Sequence, residues 1–484
     1  MWTISGIMHP LMSSFKPKIK NQFLISKTID LSKVNVSLDS ALLKNKILSI
    51  SNFRLIELDG NVYYQIAKKG QAELVYINAA DASINHKGAE LYAGKIASQL
   101  LGDSTATIQT ISLVKQFDEE YLEINRLLPV YKVVFDRADG IRLYVDPSSD
   151  RLGLAVENNR AMFSSLFRNF HSWKFLDHFG SFRLVALCLL CLAAFVATLM
   201  GIYIAFITKS KKGNTGNSAV KYRKLHRRIA IVVSITSLMF TFSGAYHAFA
   251  KFKPDTRQQY FIEEDYKATE LNFKPNSLSK QYDVKNISLI KINNTVFLQI
   301  TCSSQKGFTK EECCEKMGVA AAKFGMNMKS PMPMVRYLSL PNLQVLPNGD
   351  QQYARFMASV FSKQTDENII SVTPVTEFKG EYGFVNKRLP VYKVQYKMNN
   401  NERWYVETSS GKLAAKINDI DLREGLSFAM LHKFHFADEL GKTSRDVLTI
   451  IAALGNLLAA IAGIILLAIW FRKKKTSVKT FAKQ

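Results

Sequence analysis

The residues of this 484-residue chain best suited to hold a metal or a redox cofactor are its eight histidines. His86 lies in a mixed polar segment, and we interpret it as an exposed loop residue. The other seven lie at or near the ends of long apolar segments: His9, His171, His178, His226, His247, His432 and His435. Ionisable side chains beside apolar segments usually serve a function, and imidazole is the commonest metal ligand among side chains. The ends of the apolar segments are therefore the first place to look for a site.

The three longest apolar runs predict membrane spans at 185–207, 229–250 and 447–471. None carries a charged residue, and each exceeds the roughly 20 residues that an α-helix needs to cross a bilayer. Many of the lysines and arginines behind the formal net charge of +24 flank these runs, in 209–228 and 472–484. Short basic segments beside spans face the cytoplasm. The charge therefore reflects topology and contact with a lipid bilayer, and it indicates no nucleic-acid partner.

This topology places residues 13–180 and 251–446 outside the cytoplasm. A domain at 13–180 needs a preceding span for its export, yet 1–12 is too short to cross a bilayer and lacks the basic start and cleavage site of a signal peptide. We interpret 1–12 as the outer end of a first span whose inner part is not in this sequence. The predicted order is truncated span 1–12, extracytoplasmic domain 13–180, span 181–208, basic cytoplasmic loop 209–228, span 229–250, extracytoplasmic domain 251–446, span 447–471 and basic cytoplasmic tail 472–484.

Two phrases occur twice in the chain. T-x-S-G-x-x-H stands at 3–9 and again at 241–247, while R-L-L-P-V-Y-K-V at 126–133 returns as R-L-P-V-Y-K-V at 388–394. Matching phrases at nearly constant spacing are typical of internal repeats. The sequence therefore predicts an α+β membrane protein made of two repeats, each a helical span, an extracytoplasmic α+β domain and a second helical span. The four helices would form a bundle in the membrane.

Each outside domain alternates apolar and polar residues with a period of two, which indicates β-strands. Turn residues between the runs, such as Asp59-Gly60, predict hairpins. The predicted hairpins are 53–58 with 61–67, 129–135 with 141–145, and 287–292 with 296–300. The predicted helices are 90–101 and 310–324.

Three motifs carry a resemblance to a known family. P-V-Y-K-V…Y-V-D-P-S-S at 129–149 resembles a PepSY-type hairpin. K-L-H-R-R at 224–228 and T-x-S-G-x-x-H at 241–247 resemble the PepSY-associated transmembrane family. That family includes bacterial inner-membrane proteins linked to iron uptake, some of them haem-containing siderophore reductases. The resemblance implies a multi-pass protein of the bacterial inner membrane that reduces a ferric siderophore or other ferric chelate, with a quinol or another membrane donor supplying the electrons.

Haem b, in one or two copies, is the cofactor that the resemblance implies, and the chain has no CxxCH motif for covalent attachment. Two imidazoles from different helices would ligate each iron. The repeat predicts the pairs His9 with His247 and His171 with His435, all at outer ends of spans. A single histidine at such a position is more often a polar cap near lipid headgroups, so the prediction depends on the pairing.

A second haem near the cytoplasmic face would use His226. At a rise of 1.5 Å per residue, His226 and His247 are about 31 Å apart along one helix, so they cannot share an iron. The repeat mate of His226 would lie in the part of the first span that this sequence lacks. His178 and His432 have no evident mates, and we interpret them as interfacial residues.

The five cysteines indicate little chemistry. Cys188 and Cys191 lie within a predicted span and are interpreted as small apolar side chains. Cys302, Cys313 and Cys314 lie outside the cytoplasm, where a disulfide from Cys302 to either neighbour could persist. A thiol metal site is the less favoured interpretation of these three.

Two other functions remain open. The chain could be a non-redox, membrane-anchored PepSY protein that binds or senses envelope peptides or proteins. A secondary transporter is less favoured, because the complete spans contain no Asp, Glu, Lys or Arg and four spans are few for a transporter.

Overall fold

The computed structural model describes residues 2–12, 16–21, 24, 26–208, 218–253, 259–305, 334–340 and 342–481. The chain forms two units. The helical unit comprises Met1–Lys16, Asn159–Pro254 and Ile420–Gln484. The sheet unit comprises Pro17–Asn158 and Asp255–Asp419. All strands of the described residues thus lie in the sheet unit of this α+β chain.

In chain order, the α-helices of the described residues are α1 (Trp2–Leu11), α2 (Leu38–Lys44), α3 (Gly88–Leu101), α4 (Asn158–His171), α5 (Phe182–Ile207), α6 (Ser218–Ala250), α7 (Gly349–Ser362), α8 (Asp419–Ser427) and α9 (Lys442–Phe481). The strands are β1 (Ser49–Ile50), β2 (Asn52–Leu58), β3 (Asn61–Ala67), β4 (Val75–Asn78), β5 (Ile108–Val114), β6 (Val130–Phe135), β7 (Arg142–Asp146), β8 (Arg151–Val156), β9 (Tyr266–Lys267), β10 (Tyr282–Ile292), β11 (Thr295–Gln305), β12 (Met334–Ser339), β13 (Ile369–Val375), β14 (Val391–Tyr396), β15 (Arg403–Glu407) and β16 (Lys412–Ile417).

Three helices of the helical unit are long and apolar enough to cross a membrane: Phe182–Ile207, Ala219–Ala250 and Lys442–Arg472. They coincide with the three charge-free runs of the sequence, which confirms that prediction. α6 packs against both α5 and α9, and α1 packs against α9. Apolar side chains such as Phe206, which is 86% exposed, cover the outer faces. Lipid would cover such a surface.

A polar contact joins the spans α6 and α9, although neither apolar run contains a charged residue. In α9, Asn456 donates to Thr236 Oγ1 at 3.1 Å and to the Ala452 carbonyl at 2.8 Å. Ser237 of α6 donates to Asn456 Oδ1. Hydrogen bonds between membrane helices contribute a modest stabilisation and orient the helices about their axes. These bonds fix the contact between α6 and α9.

The sheet unit contains matching antiparallel elements in its two chain segments. A three-stranded sheet, a helix and a four-stranded sheet follow one another in each segment, as β2-β3-β4, α3 and β5-β6-β7-β8, then β10-β11-β12, α7 and β13-β14-β15-β16. α3 packs on β5, β6 and β7, and α7 packs on β13, β14 and β15. The predicted hairpins at 53–67, 129–145 and 287–300 all form, with ends shifted by a few residues.

The two segments share one interior. β1 pairs with β9 across the chain, and a single apolar cluster contains residues of both segments, including Phe53, Tyr64, Ile287 and Leu298. Asn52 Nδ2 donates to the Leu289 carbonyl at 3.2 Å, and the Leu289 amide donates back to Asn52 Oδ1 at 2.9 Å. The segments at 13–180 and 251–446 therefore contribute to one unit.

One predicted helix, 310–324, stays a prediction. Residues 310–324 lie outside the described residues. The helix that corresponds to α3 in the second segment is α7, which the sequence analysis did not assign. Its buried side chains include Tyr353, Met357 and Phe361, which are spaced four residues apart. That spacing is the apolar period of a helix, so the signal for α7 was present in the sequence.

Candidate functional site

Four histidines and two phenylalanines form a continuous row of rings in the helical unit, which we call the histidine cluster. Its members are His9, Phe167, His171, His432, Phe428 and His247. Successive ring centroids in that order lie 5.4, 4.7, 6.0, 4.8 and 4.1 Å apart. The two halves of the row have the same composition, and they meet where the rings of His171 and His432 contact each other.

Two buried serines orient the central histidines. Ser5 Oγ donates to the Trp2 carbonyl at 3.1 Å and lies 3.0 Å from His171 Nδ1. Ser243 Oγ donates to the Met239 carbonyl at 2.6 Å and lies 3.1 Å from His432 Nδ1. A hydroxyl has one proton, so each serine accepts from the Nδ1–H of its histidine. Both imidazoles therefore keep Nε2 as the nitrogen with a lone pair.

These serines explain the repeated T-x-S-G-x-x-H phrase. Ser5 and Ser243 are the S of its two copies, and each is 1% exposed. A Cβ at Gly6 would lie 4.0 Å from His171 Cε1, so the glycine that follows Ser5 also faces this ring. The phrase thus holds a histidine on a different helix in addition to supplying one of its own.

Two further histidines have a fixed Nδ1. His247 Nδ1 lies 2.5 Å from Glu424 Oε1, and His226 Nδ1 lies 3.0 Å from the Ala459 carbonyl of α9. An acceptor at Nδ1 is the usual partner of a histidine whose Nε2 binds a metal. Gly463 leaves space beside His226, because a Cβ there would lie 3.5 Å from its Cε1.

The central imidazoles are neutral near pH 7. His171 and His432 lie outside α5, α6 and α9, and burial lowers the pKa of His171 to about 4 and that of His432 to about 3. A neutral imidazole with a free Nε2 is the form that binds iron. The donor chemistry of this pair fits axial ligation of a haem. Within the described residues, no group of three or more His, Cys, Asp or Glu side chains could hold a bare metal ion.

The sheet unit contains a cavity of about 710 Å³. Its walls come from both chain segments, with β2, α3 and the β7–β8 turn on one side and β10, β11 and the β15–β16 turn on the other. Pockets for small molecules typically range from about 300 to 1,000 Å³. The cavity is therefore large enough for a small ligand.

A family comparison identifies the chain's relatives. The sequence model of the PepSY-associated TM region matches residues 116–361. The chain belongs to the PepSY-associated transmembrane family. No curated protein matches it. The matched range of this PepSY-associated protein contains β6 to α6, together with His171, His226 and His247 of the predicted site.

The geometry corrects one predicted correspondence. The partner of His171 in the second half of this PepSY-associated protein is His432, not His435. Phe167 and Phe428 each precede their histidine by four residues, and Trp173 and Phe434 each follow it by two with a positive φ, of 54° and 55°. His171 and His435 each directly follow a phenylalanine in the sequence. The spacing that the two sites share in the structure is instead F-x-x-x-H, which ends at His171 and at His432. His432, interpreted from the sequence as an interfacial residue without an evident mate, thus has His171 as its neighbour.

His435 lies in a separate ion-pair group. Its Nδ1 is 2.6 Å from Asp438 Oδ2 and 3.1 Å from Arg445 Nη1, and Arg445 also pairs with Asp438 at 2.6 Å. Among the described contacts, none brings His435 to the histidine cluster. His86 and His178 are exposed, as the sequence predicted for His86.

The described cysteines lie on α5 and β11. Cys302 is buried on β11, and its thiol donates to the Met334 carbonyl at 3.4 Å. Cys313 and Cys314 lie outside the described residues, so the disulfide stays a prediction. Cys191 is buried on α5, with its Sγ 3.4 Å from where a Cβ of Gly244 would lie.

Proposed function

We propose that this protein is a b-type haem protein of the bacterial inner membrane that passes electrons across the membrane to extracytoplasmic ferric iron, in the manner of a ferric-siderophore reductase. The observation that supports it most is the contact between His171 and His432, two neutral imidazoles with free Nε2 atoms on different helices. In this proposal the chain consists of two repeats of span, PepSY-like domain and span, and its four membrane helices form a bundle in the lipid bilayer.

His171 and His432 would hold the outer haem through their Nε2 atoms. When bound, haem iron supplies one-electron oxidation and reduction. Ser5 and Ser243 keep both Nδ1 atoms protonated, and Glu424 does the same for His247. His9 and His247, in contact with Phe167 and Phe428, would complete an aromatic wall on either side.

His226 would serve an inner haem near the cytoplasmic end of α6. The Ala459 carbonyl accepts from its Nδ1, and the absence of a side chain at Gly463 leaves its ring room. A quinol or another membrane donor would supply electrons on this side, and a ferric siderophore would accept them outside.

The proposal is tested by electron transfer from the reduced protein. The purified full-length protein, reduced chemically and freed of excess reductant, is mixed with a ferric siderophore, and reoxidation is followed by absorption. We expect rapid reoxidation and formation of one ferrous iron for each electron lost. We expect His432→Ala to abolish the signal and the exposed control His178→Ala to retain it. A haem-loaded protein that ferric chelates leave reduced would contradict the proposed activity.

The alternative is a non-redox PepSY protein that binds envelope peptides or proteins. The cavity of the sheet unit favours it, because a cavity of this size serves binding without any cofactor. It predicts a colourless protein and a peptide or protein partner crosslinked through the sheet unit. The absorption spectrum of the purified protein separates the two functions, because only the haem protein would absorb visible light.

A further inference from the structure

The cavity of the sheet unit has a charged lining with an excess of positive charge. Among the described residues, nine lysines and arginines line it, against five aspartates and glutamates. The basic residues are Lys27, Arg54, Lys68, Lys95, Arg126, Arg151, Lys285, Arg388 and Lys412. A concave surface lined by one sign of charge concentrates ligands of the opposite sign.

Two carboxylates of the lining, Asp150 and Asp146, have close hydrogen-bond partners. Asp150 binds Arg54 through two hydrogen bonds, of 3.0 and 2.5 Å, and accepts a third from Tyr92 at 2.9 Å. Asp146 accepts from the amide and hydroxyl of Ser148 at 2.9 and 2.6 Å and from the hydroxyl of Ser149 at 2.6 Å. Asp150 is thus held by Arg54 and Tyr92, whereas Asp146 is held by Ser148 and Ser149 and also lies in the field of Lys412.

Lys412 is a buried cation of the lining whose charge is only partly compensated. Within the part of the chain that the structure describes, its ammonium makes neither a hydrogen bond nor a salt bridge. Burial and the nearby charge of Arg388 lower the pKa of Lys412, while Asp146 and Glu407 partly offset this at longer range. The carboxylates of Glu407 and Asp146 are thus outnumbered by the positive charges near them.

A second pair of cations consists of Arg126, which lines the cavity, and Lys387. Arg126 Nη1 donates to Asn386 Oδ1 at 2.9 Å and to the Ala414 carbonyl at 3.4 Å. Lys387 Nζ donates to Asn125 Oδ1 at 3.0 Å and to the Gly153 carbonyl. Burial, together with the charge of Arg126, lowers the pKa of Lys387 to about 8. Two positive charges are thus close enough to each other to shift the pKa of Lys387.

Buried positive charge that nearby carboxylates compensate only in part, as at Lys412, destabilises a folded protein. Residues that destabilise the free protein are typical of binding sites, where the ligand supplies the missing interaction. We propose that this cavity binds a small anionic ferric chelate with carboxylate oxygens, and that Lys412 is its main charge contact. The inference rests on the proposed function, because it names the chemical class of the chelate.

The direct test is calorimetric titration of the full-length protein in detergent with three probes: ferric citrate, gallium citrate as its redox-inert analogue, and a ferric trihydroxamate without acidic groups. We expect the two citrate complexes to bind with similar affinity, more weakly as salt increases. We expect the hydroxamate to bind at least about 10-fold more weakly, since it lacks the charge-assisted hydrogen bonds. Absence of citrate-complex binding, or equal binding of metal-free citrate, would overturn the proposal.

Variants separate binding from a structural role. Lys412→Gln should weaken binding of gallium citrate by about 10- to 100-fold, while ligand-free Lys412→Gln unfolds at the same or a higher temperature than the wild type. The matched control is Lys416→Gln on the same strand, whose ammonium pairs with Glu402 at 2.9 Å and does not line the cavity. Wild-type affinity in Lys412→Gln, or a lower unfolding temperature of this ligand-free variant, would refute the assignment.

The outcome is independent of the redox claim. Gallium citrate cannot accept an electron, so its binding needs no haem. A protein that binds gallium citrate but shows no haem spectrum would support the anion site and contradict the proposed function. A protein that shows the haem spectrum but does not bind gallium citrate would support the proposed function and contradict the anion site.

Discussion

Replacing Glu407 with glutamine tests how buried charges stabilise the sheet unit. Glu407 is completely buried and accepts from Arg388 Nη1 at 2.6 Å, while Arg151 pairs with its other oxygen. Burial alone would raise the pKa of Glu407, but Arg151 and Arg388 outweigh it and lower the pKa from 4.5 to about 2. The carboxylate is therefore charged in the folded protein at every physiological pH.

The size of the effect follows from this pKa. One pKa unit corresponds to about 1.4 kcal/mol, so the change from 4.5 to about 2 corresponds to about 3 kcal/mol of stability. Breaking a buried ion pair by removing one partner costs about 3 to 5 kcal/mol, in agreement. Glu407→Gln should lower the free energy of unfolding at pH 7 by about 3 kcal/mol.

The dependence on pH has a defined sign. Because the folded pKa is depressed, the unfolded chain takes up the proton first as the pH falls. The stabilisation is complete above the ordinary pKa of 4.5 and disappears as the pH approaches 2. The wild type loses this stabilisation on acidification and the variant does not, so the difference between them narrows below pH 4.5.

The assay is denaturant unfolding of the full-length protein in detergent, followed by the fluorescence of Trp404, which lies on the same strand as Glu407. The other three tryptophans are replaced by phenylalanine in all variants, so that Trp404 reports alone. Glu57→Gln, at an exposed position of β2, is the matched control and should change the free energy by less than about 0.5 kcal/mol. A Glu407→Gln effect as small as the control's, or one that stays constant down to pH 3, would refute the reasoning.

Three further predictions concern packing and orientation. Gly349→Ala should destabilise the sheet unit by about 1 to 3 kcal/mol in the same assay, because a Cβ would lie 2.6 Å from the Tyr337 ring, whereas Gly383→Ala has open space and should have little effect. Asn456→Leu should weaken the contact between α6 and α9 by about 0.6 to 1.7 kcal/mol, measured by thermal unfolding of the helical unit in detergent; an unchanged melting temperature would contradict the role of its hydrogen bonds. Ser243→Ala should lower the affinity for haem by about 10- to 100-fold, measured by transfer of haem to apomyoglobin, while Ser243→Thr keeps the hydroxyl and most of the affinity.

Much of the architecture could be predicted from local patterns. The spans follow from runs without charge, and hairpins such as 61–67 follow from a period of two beside a turn, since both signals depend on neighbouring residues. The shared interior of the sheet unit could not be predicted. It depends on β1 and β9, strands of two residues each, and on apolar clusters that join residues more than 200 positions apart in sequence.

Only part of the candidate site could be predicted, because local patterns indicate positions along the chain and not contacts between helices. His9, His171 and His247 were selected by their positions, and the structure brings them into one cluster. His432 was missed because the residues around it form a bend with a positive φ at Phe434. At such a bend, sequence similarity does not show which histidine ring faces His171. The partnership of Ser5 with His171 and of Ser243 with His432 joins different helices, so only the fold reveals it.

The central claim is that His171 and His432 hold a haem, and the most direct measurement is the reduced-minus-oxidised absorption spectrum of the purified full-length protein. The wild type and the control His435→Ala should show the narrow α-band of a six-coordinate b-type haem at the same haem content per protein. His171→Ala and His432→Ala should each lose that band. A wild-type protein without the band, or an unchanged spectrum in both variants, would contradict the account.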